Sequence, residues 1–190
     1  MIACAALLRG VNVGRANRIA MADLRDVLES LGHTGVRTLL NSGNAVFQAS
    51  GGRPERLAVA IEKAIEDRLG LVVPVVVVTA PELERIVAGN PLAKVADDPA
   101  RYLVAFAGRP AALDGARGLL DRSWQPEALA IGEIAAYLWC ANGIRDSKLA
   151  QAFDRATRRG TTMRNWITVL KLLAMVDGGH RPDDHSSPGR

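Results

Sequence analysis

The chain has 190 residues, 48% of them apolar and 23% charged, and its formal net charge is +4. This length suits one sizeable core or two small half-domains. Two isolated cysteines, Cys4 and Cys140, and three scattered histidines exclude a disulfide scaffold, so we predict no metal site and no cofactor. The apolar run Ile2–Leu8 lacks the basic flank of a secretory leader, and no run reaches the roughly 20 residues of a membrane helix. We therefore expect a cytoplasmic protein that binds no membrane. Its oligomeric state stays open.

Residues 1–79 alternate apolar segments with turns in the order strand, helix, strand, strand, helix, strand. The first helix presents apolar side chains on one face and ends at Gly32. The two middle strands flank the turn Asn41-Ser42-Gly43-Asn44, which predicts a hairpin. This order is that of the split βαβ arrangement called ferredoxin-like. The predicted segments are the strands Ile2–Leu8, Val36–Leu40, Ala45–Phe47 and Val75–Val78, and the helices Met21–Leu31 and Pro54–Leu69.

Residues 80–100 connect this half to a second one, residues 101–177, in which a similar order begins again. Thr79 and Glu82 have capping-box spacing, which predicts a short connecting helix that ends near Pro91. The second half is predicted to end in a helix where the first ended in a strand, and Thr162 is expected to cap that helix. The fold class is therefore α+β, with two ferredoxin-like halves packed together, a C-terminal helix and a disordered tail over residues 178–190. The other segments are the strands Tyr102–Ala107, Ala128–Ile131 and Ile134–Cys140, and the helices Pro110–Leu120 and Ser147–Arg158.

The loop between the first strand and the first helix combines glycine, asparagine and three arginines, and no acidic residue occurs between Met1 and Ala22. Such a connection brings backbone N–H groups near a helix N-terminus, and arginine adds planar donors for phosphate or carboxylate. The glycine spacing fits neither a P-loop nor a dinucleotide fingerprint. The alternative is a long loop that needs glycine and asparagine only for its turns. The candidate anion-binding residues are Arg9, Asn12, Gly14, Arg15, Asn17 and Arg18.

Two further segments carry candidate contacts for an anion. In the hairpin turn, Asn41, Ser42 and Asn44 offer short donors and acceptors, although a turn alone would also explain them. Between Cys140 and Val176, seven basic residues stand against two acidic ones, and polar side chains gather near two predicted helix starts. Helix capping would explain several of these side chains equally well. The candidates there are Ser147, Lys148, Thr162, Arg164 and Asn165.

The chain contains no recognisable set of catalytic groups. His33 follows the glycine that ends a helix, and the other two histidines lie in the predicted tail, so none is well placed as a general base. The paired acids Asp97 and Asp98 have neither a histidine partner nor a glycine-rich metal loop. Whether the protein is an enzyme stays open. A reaction here would depend on positioning and electrostatic stabilisation by arginine, lysine, asparagine and backbone groups.

Several short motifs follow a pattern known from one protein family. Leu7–Gly14 reads Leu-Leu-Arg-Gly-Val-Asn-Val-Gly, Met21–Arg25 reads Met-Ala-Asp-Leu-Arg, and Asn41–Phe47 reads Asn-Ser-Gly-Asn-Ala-Val-Phe. By these motifs, and by Asn-Gly-Ile, Ser-Lys-Leu and Asn-Trp-Ile-Thr-Val further on, the chain resembles a widespread bacterial family, the domain of unknown function 1697. Arg15 stands where that family has a second glycine, and Asn41 where it has glutamine. The resemblance covers nearly the whole chain except the tail. It implies the same two-part ferredoxin-like fold and no established activity.

Three functions are compatible with these residues. The leading hypothesis is a protein that binds an anion, either nucleic acid or a phosphorylated small molecule, through the basic loop. The second is an enzyme that acts on a small phosphorylated or carboxylated metabolite, which predicts a concave, partly apolar pocket beneath that loop. The third is a structural or interaction module in which these segments fasten the two halves together. The first of these requires that basic segments distant in sequence meet in space.

Overall fold

The computed structural model describes residues 1–13, 17–158 and 160–178. Of the predicted tail, only Gly178 lies among the described residues. The elements named here as the first half are β1 (Ile2–Leu8), α1 (Met21–Ser30), β2 (Thr34–Leu39), β3 (Asn44–Ala49), α2 (Pro54–Leu69) and β4 (Val75–Thr79). They follow the predicted order, and the connecting helix α3 (Ala80–Ala88) comes next.

The second half begins with a strand, as predicted, and it repeats the strand count of the first half. A 3₁₀ helix, Pro110–Leu119, stands where the first half has α1. The other elements of the second half are β5 (Tyr102–Ala107), β6 (Ala128–Ile131), β7 (Ala135–Trp139), α4 (Lys148–Ala156), β8 (Thr161–Asn165) and α5 (Trp166–Asp177).

Each half forms a four-stranded antiparallel sheet, and the two sheets have equivalent strand orders. The order is β2-β3-β1-β4 in the first sheet and β6-β7-β5-β8 in the second. In the first sheet, β1 pairs with β3 in a register that places Leu7 opposite Asn44. The predicted α+β class is confirmed, and the strand orders are compatible with the split βαβ arrangement.

Short sequence signals near the helix ends define where α2 and α3 begin and where α2 ends. Pro54 lies at the N-terminus of α2, and Gly70 ends that helix in the left-handed conformation. A complete capping box starts α3, because Thr79 Oγ1 accepts a hydrogen bond from Glu82 N–H while the Glu82 carboxylate accepts one from Thr79 N–H. Each helix buries one apolar face; in α2 that face includes Ile61.

Two predictions about the second half are wrong. Thr161–Asn165 forms the strand β8, which pairs with β5, so the half ends in a strand followed by a helix. Thr162 lies inside β8, and Asn165 caps α5 through a 2.9 Å hydrogen bond that its Oδ1 accepts from the N–H of Thr168. The sequence Thr-Thr-Met-Arg-Asn does not show the alternating hydrophobicity by which a strand is recognised. The strand is stabilised instead by backbone pairing with β5 and by burial of its two threonines.

The segment predicted as the helix Pro110–Leu120 forms a 3₁₀ helix instead. It contains Gly115, which lowers the propensity for an α-helix. A Cβ atom at Gly115 would lie only 2.2 Å from the carbonyl oxygen of Ala156, at the end of α4. The 3₁₀ helix therefore packs its backbone against α4, and this contact shapes one wall of the groove described below.

Three apolar cores form successive layers. One lies between the first sheet and the helices α1 and α2, around Leu24 and Ile61. Another lies between the second sheet, the 3₁₀ helix and α4, around Leu113 and Phe153. The central core lies between the sheets, where α5 contacts both of them. The edge strands β4 and β8 approach each other at this junction. Within the described residues, no helix is long and apolar enough to cross a membrane.

Candidate functional site

The hairpin turn, the end of β1 and the strand β8 meet at the junction between the halves. We name this contact the Arg164 cluster: it consists of Arg164 and the residues that accept its hydrogen bonds, which are Leu8, Ser42, Gly43, Asn44, Thr162 and Met163. Several of the predicted anion-binding residues are therefore close together, although they are up to 122 residues apart in sequence.

Every N–H group of the Arg164 guanidinium has an acceptor. Nε donates to Asn44 Oδ1, and Nη1 donates to Thr162 Oγ1 and to the carbonyl of Met163, both at 2.8 Å. Nη2 donates to the carbonyl of Leu8 at 2.7 Å and, over longer distances, to two carbonyls of the hairpin turn. Burial lowers the pKa of Arg164 to about 10, which leaves the side chain charged at neutral pH. Carbonyl, amide and hydroxyl oxygens thus surround this cation, and it keeps no free donor for a ligand.

Two asparagines stabilise the turns beside the Arg164 cluster. Asn12 Nδ2 donates to the carbonyls of Ile19 and Asn41, at 2.9 and 2.6 Å, and Asn12 Oδ1 accepts from the N–H of Ile19 at 3.0 Å. Asn44 is fully buried, and its Nδ2 donates to the carbonyl of Leu39 and to Ser42 Oγ. These side-chain amides close the opening loop and the hairpin turn, which is the structural alternative that the sequence left open.

Arg9 makes a second link across the junction. Its Nη2 lies 2.6 Å from Asp154 Oδ1 on α4, and its Nη1 donates to the carbonyl of Thr161 at the start of β8. The Arg9 side chain is 20% exposed and the Asp154 side chain 37% exposed, so water reaches this ion pair. Arg9 is therefore neutralised by a carboxylate, while Arg164 is stabilised only by neutral acceptors among the described residues.

The other predicted site residues occupy different positions. Ser147 is buried and caps α4, where its Oγ accepts a 2.9 Å hydrogen bond from Ala150 N–H, and Lys148 follows it on the exposed first turn. Asn17 and Arg18 are exposed, and Asn165 caps α5. Gly14 and Arg15, which the sequence also predicts as anion contacts, lie outside the described residues.

A groove of about 1030 Å³ opens between the two halves, beside the Arg9–Asp154 pair. We name it the junction groove. One wall comes from α2 and β4 of the first half, and the other comes from the 3₁₀ helix and the end of α4 in the second half. Small residues on both walls, such as Ala58 and Ala112, leave space between them. Arg9 and Thr162 line the groove, and the sequence had indicated both.

Three arginines of the junction groove were not predicted from the sequence. Arg109 precedes the 3₁₀ helix, Arg155 lies in the last turn of α4, and Arg158 follows that helix. Within the described part of the chain, none of the three side chains forms an ion pair with a carboxylate or donates a hydrogen bond. The surplus of basic residues after Cys140 was the available signal for two of them, whereas Arg109 stands alone in the sequence.

A second concavity, of about 520 Å³, lies on the other side of Arg9, beneath the opening loop. Its rim includes the exposed side chains of Val13, Leu40 and Ile144, and Arg164 and Asn165 also line it. Leu40 has a φ of +57°, in the left-handed region that is costly for a branched side chain. This loop concavity matches the partly apolar pocket that the metabolite hypothesis predicted, but the donors of Arg164 are already occupied there.

The titratable groups offer little for nucleophilic or metal chemistry. Burial raises the pKa of the Cys4 thiol to about 11, and burial also raises the pKa of Cys140, so both thiols are protonated at neutral pH. Among residues 1–13, 17–158 and 160–178, no group of three or more His, Cys, Asp and Glu side chains is placed to hold a metal ion.

Comparisons with known proteins identify a family and a common fold, but they indicate no ligand. A family model described as "Protein of unknown function (DUF1697)" matches residues 1–137. No curated protein sequence matches the chain. Among solved structures, the chain is similar to that of the conserved bacterial protein SP0830 from Streptococcus pneumoniae, with a TM-score of 0.76 and 23% identity. The similarity covers 92% of this chain and 98% of that one, which shows a common fold.

Proposed function

The chain belongs to the DUF1697 family, whose function is unknown, and we propose that it binds a small phosphorylated molecule in the junction groove. The observation that carries this proposal is the convergence of Arg109, Arg155 and Arg158 on one concave surface without a carboxylate partner among the described residues. Guanidinium groups form bidentate, charge-assisted hydrogen bonds with phosphate oxygens. A groove with several such donors, none of which is paired with another described residue, suits a phosphoryl group.

The junction groove supports anion binding better than Arg164 and Arg9 do. Arg164 would have to break hydrogen bonds with buried carbonyls before it could contact a ligand, and Arg9 would have to leave Asp154. We infer that Arg164, Asn12 and Asn44 hold the halves and their turns in place. Arg9 and Thr162 line the edge of the groove, where their hydrogen bonds with Asp154 and Arg164 hold that edge in place while the other arginines bind the ligand.

A small molecule fits the groove better than nucleic acid does. The volume of about 1030 Å³ lies just above the range of roughly 300–1,000 Å³ that is typical of small-molecule sites. Glu55 and Glu62 on the α2 wall would repel a continuous phosphate backbone. Aromatic residues make up only 4% of the chain, which leaves few platforms for base stacking.

We also infer that each half is a ferredoxin-like unit, because the two strand orders agree with each other and with that topology. The two units would then meet through their fourth strands, β4 and β8. On this view the ligand site lies between the two units, residues 1–79 and 101–177. Ligand sites commonly lie at such boundaries between units.

Titration calorimetry and thermal unfolding test the proposal with inorganic phosphate, pyrophosphate and glucose 6-phosphate as probes. We expect saturable binding of at least one probe and a rise in the unfolding temperature as its concentration increases. Replacing Arg155 or Arg109 by Ala should weaken that binding by about tenfold or more, because each loses a charge-assisted contact. Arg145→Ala is the matched control, since Arg145 is exposed and lines no part of the groove.

Two outcomes would contradict the proposal. One is the absence of saturable binding for all three probes. The other is binding that both groove variants retain at full strength. Tight binding of duplex DNA whose logarithmic affinity falls by about 0.9 per phosphate contact with the logarithm of salt concentration would instead favour the nucleic-acid hypothesis.

A further inference from the structure

The two walls of the junction groove carry opposite charges. The wall from the second half presents Arg109, Arg155 and Arg158, and the wall from the first half presents Glu55 and Glu62. No ion pair within 4.0 Å joins these two sets among the described residues. The groove thus separates a basic surface from an acidic one, and neither neutralises the other.

The acidic wall is fixed in position by α2. Glu55 and Glu62 are seven residues apart on this helix, so they lie on the same face, roughly 10 Å apart along the axis. Glu62 is half-buried, and its Oε1 accepts a 2.8 Å hydrogen bond from the backbone N–H of Val75 on β4. That bond orients the Glu62 carboxylate, and its other oxygen has no hydrogen-bond donor among the described residues.

These carboxylates make the groove a less favourable site for a plain dianion than for a ligand that also carries a positive charge. A phosphate on the arginine wall gains from three guanidinium groups but is also exposed to the field of two carboxylates across the groove. A ligand that carries a positively charged group as well as a phosphate would be attracted to the two carboxylates instead of being repelled by them. A hydroxyl group could donate to Glu62 too, but a charged donor forms the stronger hydrogen bond.

We infer that the ligand class of the junction groove is a phosphate monoester that also bears a protonated amine, with the phosphate on the arginine wall and the amine at Glu62 and Glu55. This inference rests on the proposed function, because it assumes that a phosphorylated molecule occupies the groove. It goes beyond it by assigning a role to the acidic wall, which phosphate binding alone does not require.

Two pairs of probes that differ only in the amine test the inference. The pairs are ethyl phosphate with phosphoethanolamine, and glucose 6-phosphate with glucosamine 6-phosphate, titrated into the wild-type protein at pH 7. We expect the amine-bearing member of at least one pair to bind about three- to tenfold more tightly, as is typical of a partly exposed ion pair that also forms a hydrogen bond.

The variants Glu62→Gln and Glu55→Gln locate that preference. Glutamine at position 62 keeps an amide oxygen that can still accept from Val75 N–H, so the fold should be retained. We expect Glu62→Gln to remove most of the preference for the amine while the amine-free ester binds at least as tightly as before. Glu66→Gln is the matched control, because Glu66 lies one turn further along α2, is exposed and does not line the groove.

The results separate the two proposals. If the amine-free esters bind and depend on Arg155, but neither pair shows a preference, the inference about the ligand class is wrong and the proposed function stands. A preference that persists in the Glu55→Gln, Glu62→Gln double variant also overturns the inference. If no probe of either pair binds, the inference fails, and if inorganic phosphate and pyrophosphate do not bind either, the proposed function itself fails.

Discussion

The Arg164 cluster and the junction groove lie on either side of Arg9, and the arginines in them have different surroundings. In the Arg164 cluster, one guanidinium donates all its hydrogen bonds to oxygens from both halves of the molecule. In the junction groove, Arg109, Arg155 and Arg158 have no hydrogen-bond acceptor or carboxylate partner among the described residues. The first group fastens the halves, whereas the second is available to a ligand.

The comparison teaches that residue type alone does not define an anion site. Arginine binds phosphate well because it has five donors in a rigid plane, and the same property lets it satisfy several backbone carbonyls at once. Which of the two happens depends on how many acceptors the fold supplies. At Arg164 the hairpin turn and β1 supply them, whereas no described residue accepts a hydrogen bond from the Arg155 side chain, which lines the groove.

The largest expected effect is the loss of stability when Arg164 is replaced by Ala. The substitution leaves the carbonyl of Leu8 and the side chain of Asn44 without their donor at the junction. Unsatisfied buried acceptors are costly, so we expect the free energy of unfolding to fall by about 3 kcal/mol or more. Chemical denaturation measures it.

The same substitution at Arg155 provides the comparison. Arg155→Ala removes an exposed side chain from the last turn of α4 and should cost less than about 1 kcal/mol. Equal losses for the two variants would show that Arg164 does not fasten the halves. They would also remove the distinction between the cluster and the groove.

A smaller loss of stability is expected from a substitution at Gly43, which belongs to the Arg164 cluster. Gly43 has a φ of +72°, and a Cβ atom there would lie 2.4 Å from Val11 Cγ2 and 2.7 Å from Leu8 Cβ. Gly43→Ala therefore combines backbone strain with a clash, and we expect a loss of about 2–3 kcal/mol in unfolding free energy.

Gly10→Ala is the control for the Gly43 prediction, because Gly10 has a similar φ of +67° but open space around its Cα. Strain alone should cost about 1 kcal/mol there. Thermal or chemical unfolding of both variants tests the difference. If both variants lose the same stability, close packing around the hairpin turn contributes nothing to the junction.

The Arg9–Asp154 ion pair should contribute less than the Arg164 cluster, because water reaches both side chains. A double-mutant cycle with Arg9→Ala and Asp154→Asn should give a coupling energy of about 0.5–1 kcal/mol. The coupling should decrease at high salt, since exposed charges are screened. A coupling above about 2 kcal/mol that salt leaves unchanged would contradict this expectation, because it would show that Arg9 fastens the two halves as strongly as Arg164 does.

The smallest effect concerns pH and comes from His33, which lies outside both the Arg164 cluster and the junction groove. His33 packs against Phe47 with ring centroids 4.5 Å apart, and its Nε2 is buried without a hydrogen-bond partner among the described residues. Burial lowers the pKa of His33 below the usual 6.5. The unfolded chain therefore binds a proton more readily than the native one.

The sign of this linkage gives the expected pH dependence. The contribution of His33 to stability is complete above pH 6.5 and declines as pH falls from there through its lower native pKa. His33→Gln should reduce the loss of unfolding free energy between pH 7.5 and pH 5. Identical pH slopes for the wild type and the variant would contradict the assignment to His33.

The sequence determined the local features of this protein. The strand at Ile2–Leu8, the hairpin around Asn41–Asn44, the helix from Pro54 to Leu69 and the capping box at Thr79 all appear where the residues predict them. Each depends on interactions within a few positions of the chain, such as a cap, a turn or an apolar face. The same local patterns also indicated the family.

Only the tertiary structure decided which arginines are free. Arg164 and Asn44 are 120 residues apart, and no local pattern records that one accepts a hydrogen bond from the other. The strand β8 was missed for the same reason, since its stability comes from pairing with β5. Whether a charged side chain is satisfied depends on acceptors that distant segments bring to it. The groove proposed to bind an anion could therefore be recognised only after the two halves had been placed together.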